Sequence, residues 1–180
     1  MDQADVRICA TTGLGQPNTG GRMTTIAVDG KSIAADGRAR NSWGGIVSES
    51  VQKIIVKGRT IYAVAGSKAL VEPLIKWYES GHDPGNLPVC TDDRGWSLLV
   101  IYKAGCALFT RIAPYPELVE MPFALGTGTD YALGAMRAGA SAAEAVRIAC
   151  ELDSGSGGEI QVIDIADALG LDKPLLEAAE

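Results

Sequence analysis

The stretch Thr24-Thr25-Ile26-Ala27-Val28-Asp29-Gly30-Lys31-Ser32-Ile33-Ala34-Ala35-Asp36-Gly37 decides the fold. Two short apolar runs, Thr25–Val28 and Ser32–Ala35, flank Asp29-Gly30. An Asp-Gly pair between apolar runs is a strong short-range hairpin signal, because its residues accept the positive φ of a tight turn. Lys53–Val56 and Thr60–Ala65 repeat the pattern around Lys57-Gly58. The N-terminal part therefore reads as four short antiparallel strands.

Beyond them the period changes. Ala69, Leu70, Pro73, Leu74 and Trp77 share one helical face, Pro73 fits a first turn, and Gly81 ends the pattern. A Pro/Gly/Asp-rich loop spans 81–95, with His82 expected to be exposed on it. Ser97–Tyr102 and Cys106–Arg111 form another hairpin around Lys103-Ala104-Gly105, and Phe123–Leu125 is a short buried strand. Helices follow at 129–137 and 141–152, the second opened by Ser141-Ala142-Ala143-Glu144, which has capping-box form. Ile160–Ile165 is a last strand, before a partly helical tail over 166–176. Strands in two groups with helices between them give an α+β fold of two antiparallel sheets covered by helices. Burial on both faces accounts for near-continuous apolar runs such as Leu98-Leu99-Val100-Ile101.

Composition narrows the function. The 180 residues are 47% hydrophobic and 21% charged, with a net charge of −6. That size supports one domain with a sizeable core, and the negative charge argues against nucleic acid as a partner. No apolar run approaches the roughly 20 residues that span a bilayer. The first 22 residues lack the apolar segment of a secretory signal, and a cytoplasmic protein is expected. The four cysteines, Cys9, Cys90, Cys106 and Cys150, are widely spaced, and His82 is the one histidine. Neither a zinc site nor a Ser-His-Asp mechanism is expected, and no metal or other cofactor is implied.

The candidate chemistry gathers around Thr24. Taken alone, it is an ordinary strand-start threonine. As a chain terminus it would carry a nucleophile, its hydroxyl, and a base, its own α-amine. Asp36 ends one apolar run and Lys53 begins another, so each needs a buried partner, and each can serve the other. A cation beside Thr24 would lower the pKa of the hydroxyl and of the amine. Gly66, in Ala65-Gly66-Ser67, lies between a strand and a helix, where its N–H can receive an oxyanion. Gly126-Thr127-Gly128 and Asp153-Ser154-Gly155-Ser156-Gly157-Gly158 read either as caps and turns or as hydroxyl-rich loops around a terminal ammonium.

Thr24-Thr25-Ile26, Ala35-Asp36-Gly37, Val51-Gln52-Lys53-Ile54, Val64-Ala65-Gly66, Leu125-Gly126-Thr127-Gly128 and the Asp-x-x-Ser-Gly-Gly spacing from Asp153 to Gly158 occur in that order. Together they resemble the proteasome-type N-terminal nucleophile hydrolases: proteasome β-subunits, HslV and the short bacterial proteasome homologues. The resemblance runs from Thr24 to about Ile165. It implies a four-layer αββα sandwich and a threonine endopeptidase. Thr24 would be the nucleophile, Asp36 and Lys53 the charge pair beneath it, and Gly66 the oxyanion donor. Asp153 and Ser156 would hold the Thr24 amine, and Thr127 stands where the family usually has Ser. Arg38, Ala39, Arg40, Val51, Val64 and Lys68 would border the primary specificity pocket, where Arg40 and Lys68 could favour acidic or small residues. The implied partners are a peptide or unfolded protein substrate, further copies of the chain in a double ring of six or seven per ring, and a separate AAA+ ATPase, since the chain has no P-loop.

Residue 23 is Met, where self-processing members of that family usually carry Gly. This points to initiation at Met23 followed by methionine removal, not to self-cleavage. Residues 1–23 then read as a disordered extension, a propeptide or a mis-annotated start, and 24–180 as the peptidase domain. Segment 81–95 replaces a second helix of the family, which implies a thinner covering layer. Two other functions stay open on sequence: an inert proteasome-like shell or binding subunit, and a non-peptidase amidohydrolase of the same nucleophile class.

Overall fold

The computed structural model describes residues 24–41, 43–89 and 95–172. The expectations for residues 1–23, for Cys90 with the following loop to 94, and for the tail beyond 172 lie outside the described residues.

Strands β1 (Thr25–Val28) and β2 (Ser32–Ala35) form the expected hairpin, with Val28 opposite Ile33. Asp29 closes the turn: its Oδ1 accepts from the N–H groups of Lys31 and Ser32 at 2.8 and 2.7 Å. A short carboxylate reaches these amides without straining its own backbone. Its Oδ2 accepts from Ala142 N–H at 2.7 Å, which ties the turn to a helix start far along the chain.

Next come a small hairpin of β3 (Ala39–Arg40) and β4 (Ile46–Ser48), then β5 (Ile54–Lys57) and β6 (Thr60–Ala65). Strands β3 and β4 were not expected from sequence; they are two and three residues long and half-buried to exposed. Lys57 pairs with Thr60, so the β5–β6 turn is Gly58-Arg59 and not Lys57-Gly58. Glycine sits where φ is +61°, a conformation that costs a side-chain-bearing residue more.

After a 3₁₀ turn at Lys68–Leu70, helix α1 (Val71–Glu79) buries Leu74, Ile75 and Trp77. These pack on Tyr62, Val64, Leu98, Val100 and Phe109 of the second sheet. His82 departs from its expected exposure. It is half-buried at φ +45°, stacked on Tyr78 with ring centroids 5.3 Å apart and edge-on to Phe109. The chain doubles back after α1 and lays the imidazole against the helix's last turn.

Strands β7 (Ser97–Tyr102), β8 (Gly105–Thr110) and the short edge strand β9 (Glu117–Leu118) complete an antiparallel sheet in the order β5-β6-β7-β8-β9. Strand β10 (Phe123–Gly126) pairs with β1. Helices α2 (Thr129–Arg137) and α3 (Ala142–Leu152) follow, then β11 (Gln161–Asp164) beside β2 and the short α4 (Ile165–Leu169). The first sheet thus has the order β10-β1-β2-β11. Ser141 Oγ accepts from Glu144 N–H at 3.3 Å. The Glu144 carboxylate turns to Arg147 instead, so one half of the capping box forms.

Alternation along the strands sends Ile26, Val28, Ile33 and Ala35 to one side, where they meet Ile54, Ile61, Ala63, Leu99 and Ile101 of the second sheet. Ala27, Ala34 and Ala124 point the other way, onto Ala132, Met136, Ala145, Val146 and Ala149 of α2 and α3. Small residues on both surfaces let the helices lie close to the sheet. Because both faces are apolar, the period of two is hidden in the sequence.

Candidate active site

Asp36 follows β2 and is completely buried. A carboxylate in that setting must be compensated, and it is. Its Oδ1 accepts from Lys53 Nζ at 2.6 Å and from Thr25 N–H at 2.8 Å. Its Oδ2 accepts from Gly157 N–H at 3.1 Å and from Arg38 N–H at 3.3 Å. The two residues singled out as polar intrusions in apolar runs therefore satisfy each other. Burial holds the Lys53 ammonium below its usual lysine value, against the opposing charge and hydrogen bond of Asp36.

The start of β5 is fixed from the opposite sheet. Gln161 Oε1 accepts from the N–H groups of Lys53 and Ile54, and Gln161 Nε2 donates to Ile54 O. Sequence reasoning missed this residue, although an amide inside the apolar run Ile160–Ile165 was the available signal.

A second network lies next to the ion pair. Thr127 Oγ1 and Ser156 Oγ both donate to Asp153 Oδ2 at 2.6 Å, and Gly155 N–H donates to Oδ1 at 3.0 Å. Ser156 Oγ is also 2.6 Å from Thr25 Oγ1. With the Ser156 proton given to the carboxylate, the Thr25 hydroxyl is the donor in that contact. Burial alone would raise the Asp153 pKa. The hydrogen bonds from Ser156, Thr127 and Gly155, with the charge of Arg40, outweigh it and hold the carboxyl below its ordinary value. Thr127 and Ser156 thus meet on Asp153, and the threonine that Ser156 engages by side chain is Thr25. Thr25 was not singled out from the sequence, where it looks like any β-branched strand residue.

Thr24 is 3% exposed. Its carbonyl accepts from Thr127 N–H at 2.9 Å, and Gly126 passes directly beneath: a Cβ there would sit 1.8 Å from Thr24 O. Thr24, Lys53 and Gly66 border one cavity of about 400 Å³. The six expected pocket residues, Arg38, Ala39, Arg40, Val51, Val64 and Lys68, all line it. Val47 and Ser48 of β4 line it too, so the unforeseen hairpin forms part of the wall. Among the described residues no cluster of histidine, cysteine and carboxylate side chains could hold a metal ion, and no helix is long and apolar enough to cross a membrane.

No family model matches the chain, and no curated protein matches it in sequence. Solved structures do match. BPH from Thiobacillus denitrificans is 24% identical at a TM-score of 0.60, over 79% of this chain and 97% of that one. HslV from Trypanosoma brucei is 21% identical at 0.59, over 78% and 99%. BPH in complex with Epoxomicin is 22% identical at 0.58, over 79% and 98%. Likeness at these identities speaks for the fold. The architecture that carries Thr24, Asp36 and Lys53 is therefore the fold of HslV, as the sequence resemblance to proteasome-type N-terminal nucleophile hydrolases led us to expect.

Proposed function

We propose that the chain is a threonine endopeptidase subunit that hydrolyses peptide bonds through an acyl-enzyme on Thr24, within a four-layer αββα sandwich. One observation carries this reading: Lys53, closed on the buried Asp36 at 2.6 Å, borders the same cavity as Thr24. A lysine held in that position has a catalytic use, because its charge lowers the pKa of a nearby hydroxyl and amine.

The proposed reaction begins with residues 1–23 absent and Thr24 as the chain terminus. The Thr24 α-amine takes the hydroxyl proton, directly or through a water, as Oγ1 bonds to the substrate carbonyl carbon. The oxyanion accepts a hydrogen bond from Gly66 N–H. Collapse of the tetrahedral adduct breaks the C–N bond, and the leaving amine takes the proton back from the α-ammonium. Water then attacks the ester with the amine again as base, which releases the acid and restores Thr24. Asp153, Ser156 and Thr127 position this terminus, with Thr25 as the intervening link.

The assembly proposed with it is a closed double ring of six or seven copies per ring in the cytoplasm, fed by a separate AAA+ ATPase. A cleft of this kind needs a compartment to restrict its substrates. The deciding experiment is a fluorogenic peptide panel on chain initiated at Met23, with Thr24→Ala as control and intact mass to locate the terminus. Turnover by the Thr24-terminal chain and none by the control is expected. A native protein that retains residues 1–23 ahead of Thr24 would sink the assignment. Equal inertness of both chains would favour the shell subunit, and turnover confined to non-peptide amides would favour the amidohydrolase.

A further inference from the structure

Among the described residues, four cations, Arg38, Arg40, Lys53 and Lys68, line the cavity beside Thr24, and no carboxylate does. This stands out in a chain with a net charge of −6. Two of the cations are neutralised from outside the lining, Lys53 by Asp36 and Arg38 by Glu49, the latter at 3.3 Å. The other two make no close ion pair among the described residues, although Arg40 is near enough to Asp153 for its charge to be felt there. Among the described residues, Arg40 donates to backbone carbonyls alone, Nη2 to Ser154 O and Nη1 to Gly44 O. Its Nε–H is buried without an acceptor. Arg38 Nη1 donates to the same Ser154 carbonyl at 3.4 Å, so two guanidiniums converge on one neutral oxygen. Lys68 stands exposed on the rim. Val47, Val51, Val64 and Val71 supply apolar lining to the same cavity.

We propose that this cavity selects an aspartyl or glutamyl side chain at the substrate residue whose carbonyl is attacked, with Arg40 as its principal partner and Lys68 as the second. The valines take the side-chain methylenes. The carboxylate accepts from the Arg40 guanidinium and lowers the repulsion between the two arginines. A leucine would cover two cations with apolar surface and offer them no acceptor. A basic side chain would be repelled. The assignment of the subsite rests on the peptidase reading, but the charge recognition does not.

Binding therefore tests it without turnover. Labelled peptides that differ only in Glu, Gln, Leu or Arg at one position are titrated into full-length Thr24→Ala protein by fluorescence anisotropy. The Glu peptide should bind about tenfold tighter than its Gln twin, the scale of one charge-assisted contact, and the gap should narrow with salt. Arg40→Gln with Lys68→Gln should cut the gap to less than about twofold, whereas Lys76→Gln, on the outer face of α1, should leave it unchanged. Lys68→Gln alone changes an exposed residue and keeps the test valid if the double variant does not fold. The proposal is overturned if Glu binds no tighter than Gln, if Leu or Arg binds tighter than Glu, if the double variant keeps the preference, or if no peptide binds. A Met23-initiated chain that cleaves nothing while the Glu preference persists removes the peptidase reading alone. Equal cleavage of Glu and Leu peptides removes the acid preference alone.

Discussion

Lys53 Nζ lies 2.6 Å from Asp36 Oδ1 in a setting where the carboxylate is wholly buried and the ammonium nearly so. The two partners are unequally supported. Asp36 also receives three backbone N–H groups, from Thr25, Gly157 and Arg38. These come from β1, from the loop after α3 and from the residue two beyond Asp36 itself. The carboxylate is a junction of the site, and the lysine is one of four donors to it.

Removing the junction should therefore cost more than removing the lysine. Breaking a buried pair costs about 3–5 kcal/mol. Asp36→Ala is expected at the upper end, since it strands three N–H groups as well as the ammonium. Lys53→Met is expected at the lower end, because methionine keeps much of the packing of the lysine stem and the carboxylate keeps its amides. Urea denaturation checks the order. If the reverse holds, Asp36 is not the junction. Both variants should also lose the proposed peptide hydrolysis, and Lys53→Met, which should stay folded, is the informative one.

The hydroxyl chain from Thr25 through Ser156 to Asp153 makes a second ordering prediction. Thr25→Val removes one donor but leaves Ser156 bonded to Asp153, at a cost of about 1 kcal/mol. Ser156→Ala leaves the fully buried Thr25 hydroxyl without its partner and takes a donor from Asp153, so about 1–3 kcal/mol is expected. Chemical denaturation of the two variants side by side measures the difference. Equal costs would mean that Thr25 finds another partner.

These residues also mark how far the sequence could be read. Asp36 and Lys53 were legible because a charge in an apolar run is a local anomaly that demands a partner. Thr25 was not, because a threonine in a strand is unremarkable and its partner is 131 residues away. The β1–β2 hairpin was legible from Asp29-Gly30, but the contact from Asp29 to Ala142 was not, since nothing local marks a carboxylate that serves two elements. The β3–β4 hairpin escaped because its strands are too short to show a period. The six pocket residues, and the suggestion that Arg40 and Lys68 favour acidic or small residues, came from the family resemblance; the folded cavity adds that Lys53 and Arg38 are neutralised by Asp36 and Glu49.

Acid should weaken the protein through two carboxyls. For both Asp29 and Asp153, burial raises the pKa, but hydrogen bonds outweigh it and leave each below the ordinary value of 3.8. A depressed folded pKa means that the unfolded chain binds protons first as pH falls. The stabilisation is thus fully present above the unfolded value and is lost as pH drops through the folded one. Asp29→Asn should cost about 1 kcal/mol at neutral pH, as a lost cap does. It should also lose less stability than the parent between about pH 5 and pH 2. Denaturation at the two pH values tests this, and parallel losses would rule out Asp29 as a contributor.

Two glycines should respond in opposite ways to the same methyl group. At Gly126 the φ is +104° and an added Cβ would sit 1.8 Å from Thr24 O, in a backbone that has no free rotor to turn aside. Gly126→Ala must therefore push β10 away from Thr24, with a loss above about 4 kcal/mol, in the range of severe core defects. Gly134 lies inside α2 with nothing within 4 Å of its would-be Cβ. There alanine lowers the entropy of the unfolded chain and suits the helix, so Gly134→Ala should stabilise by about 0.5–1 kcal/mol. That corresponds to a rise in Tm of about 1–4 °C for a chain of this size. Thermal unfolding of the pair decides the matter. A well-folded Gly126→Ala protein would show that the close passage under Thr24 can relax, and with it the fixed position on which the proposed nucleophile depends.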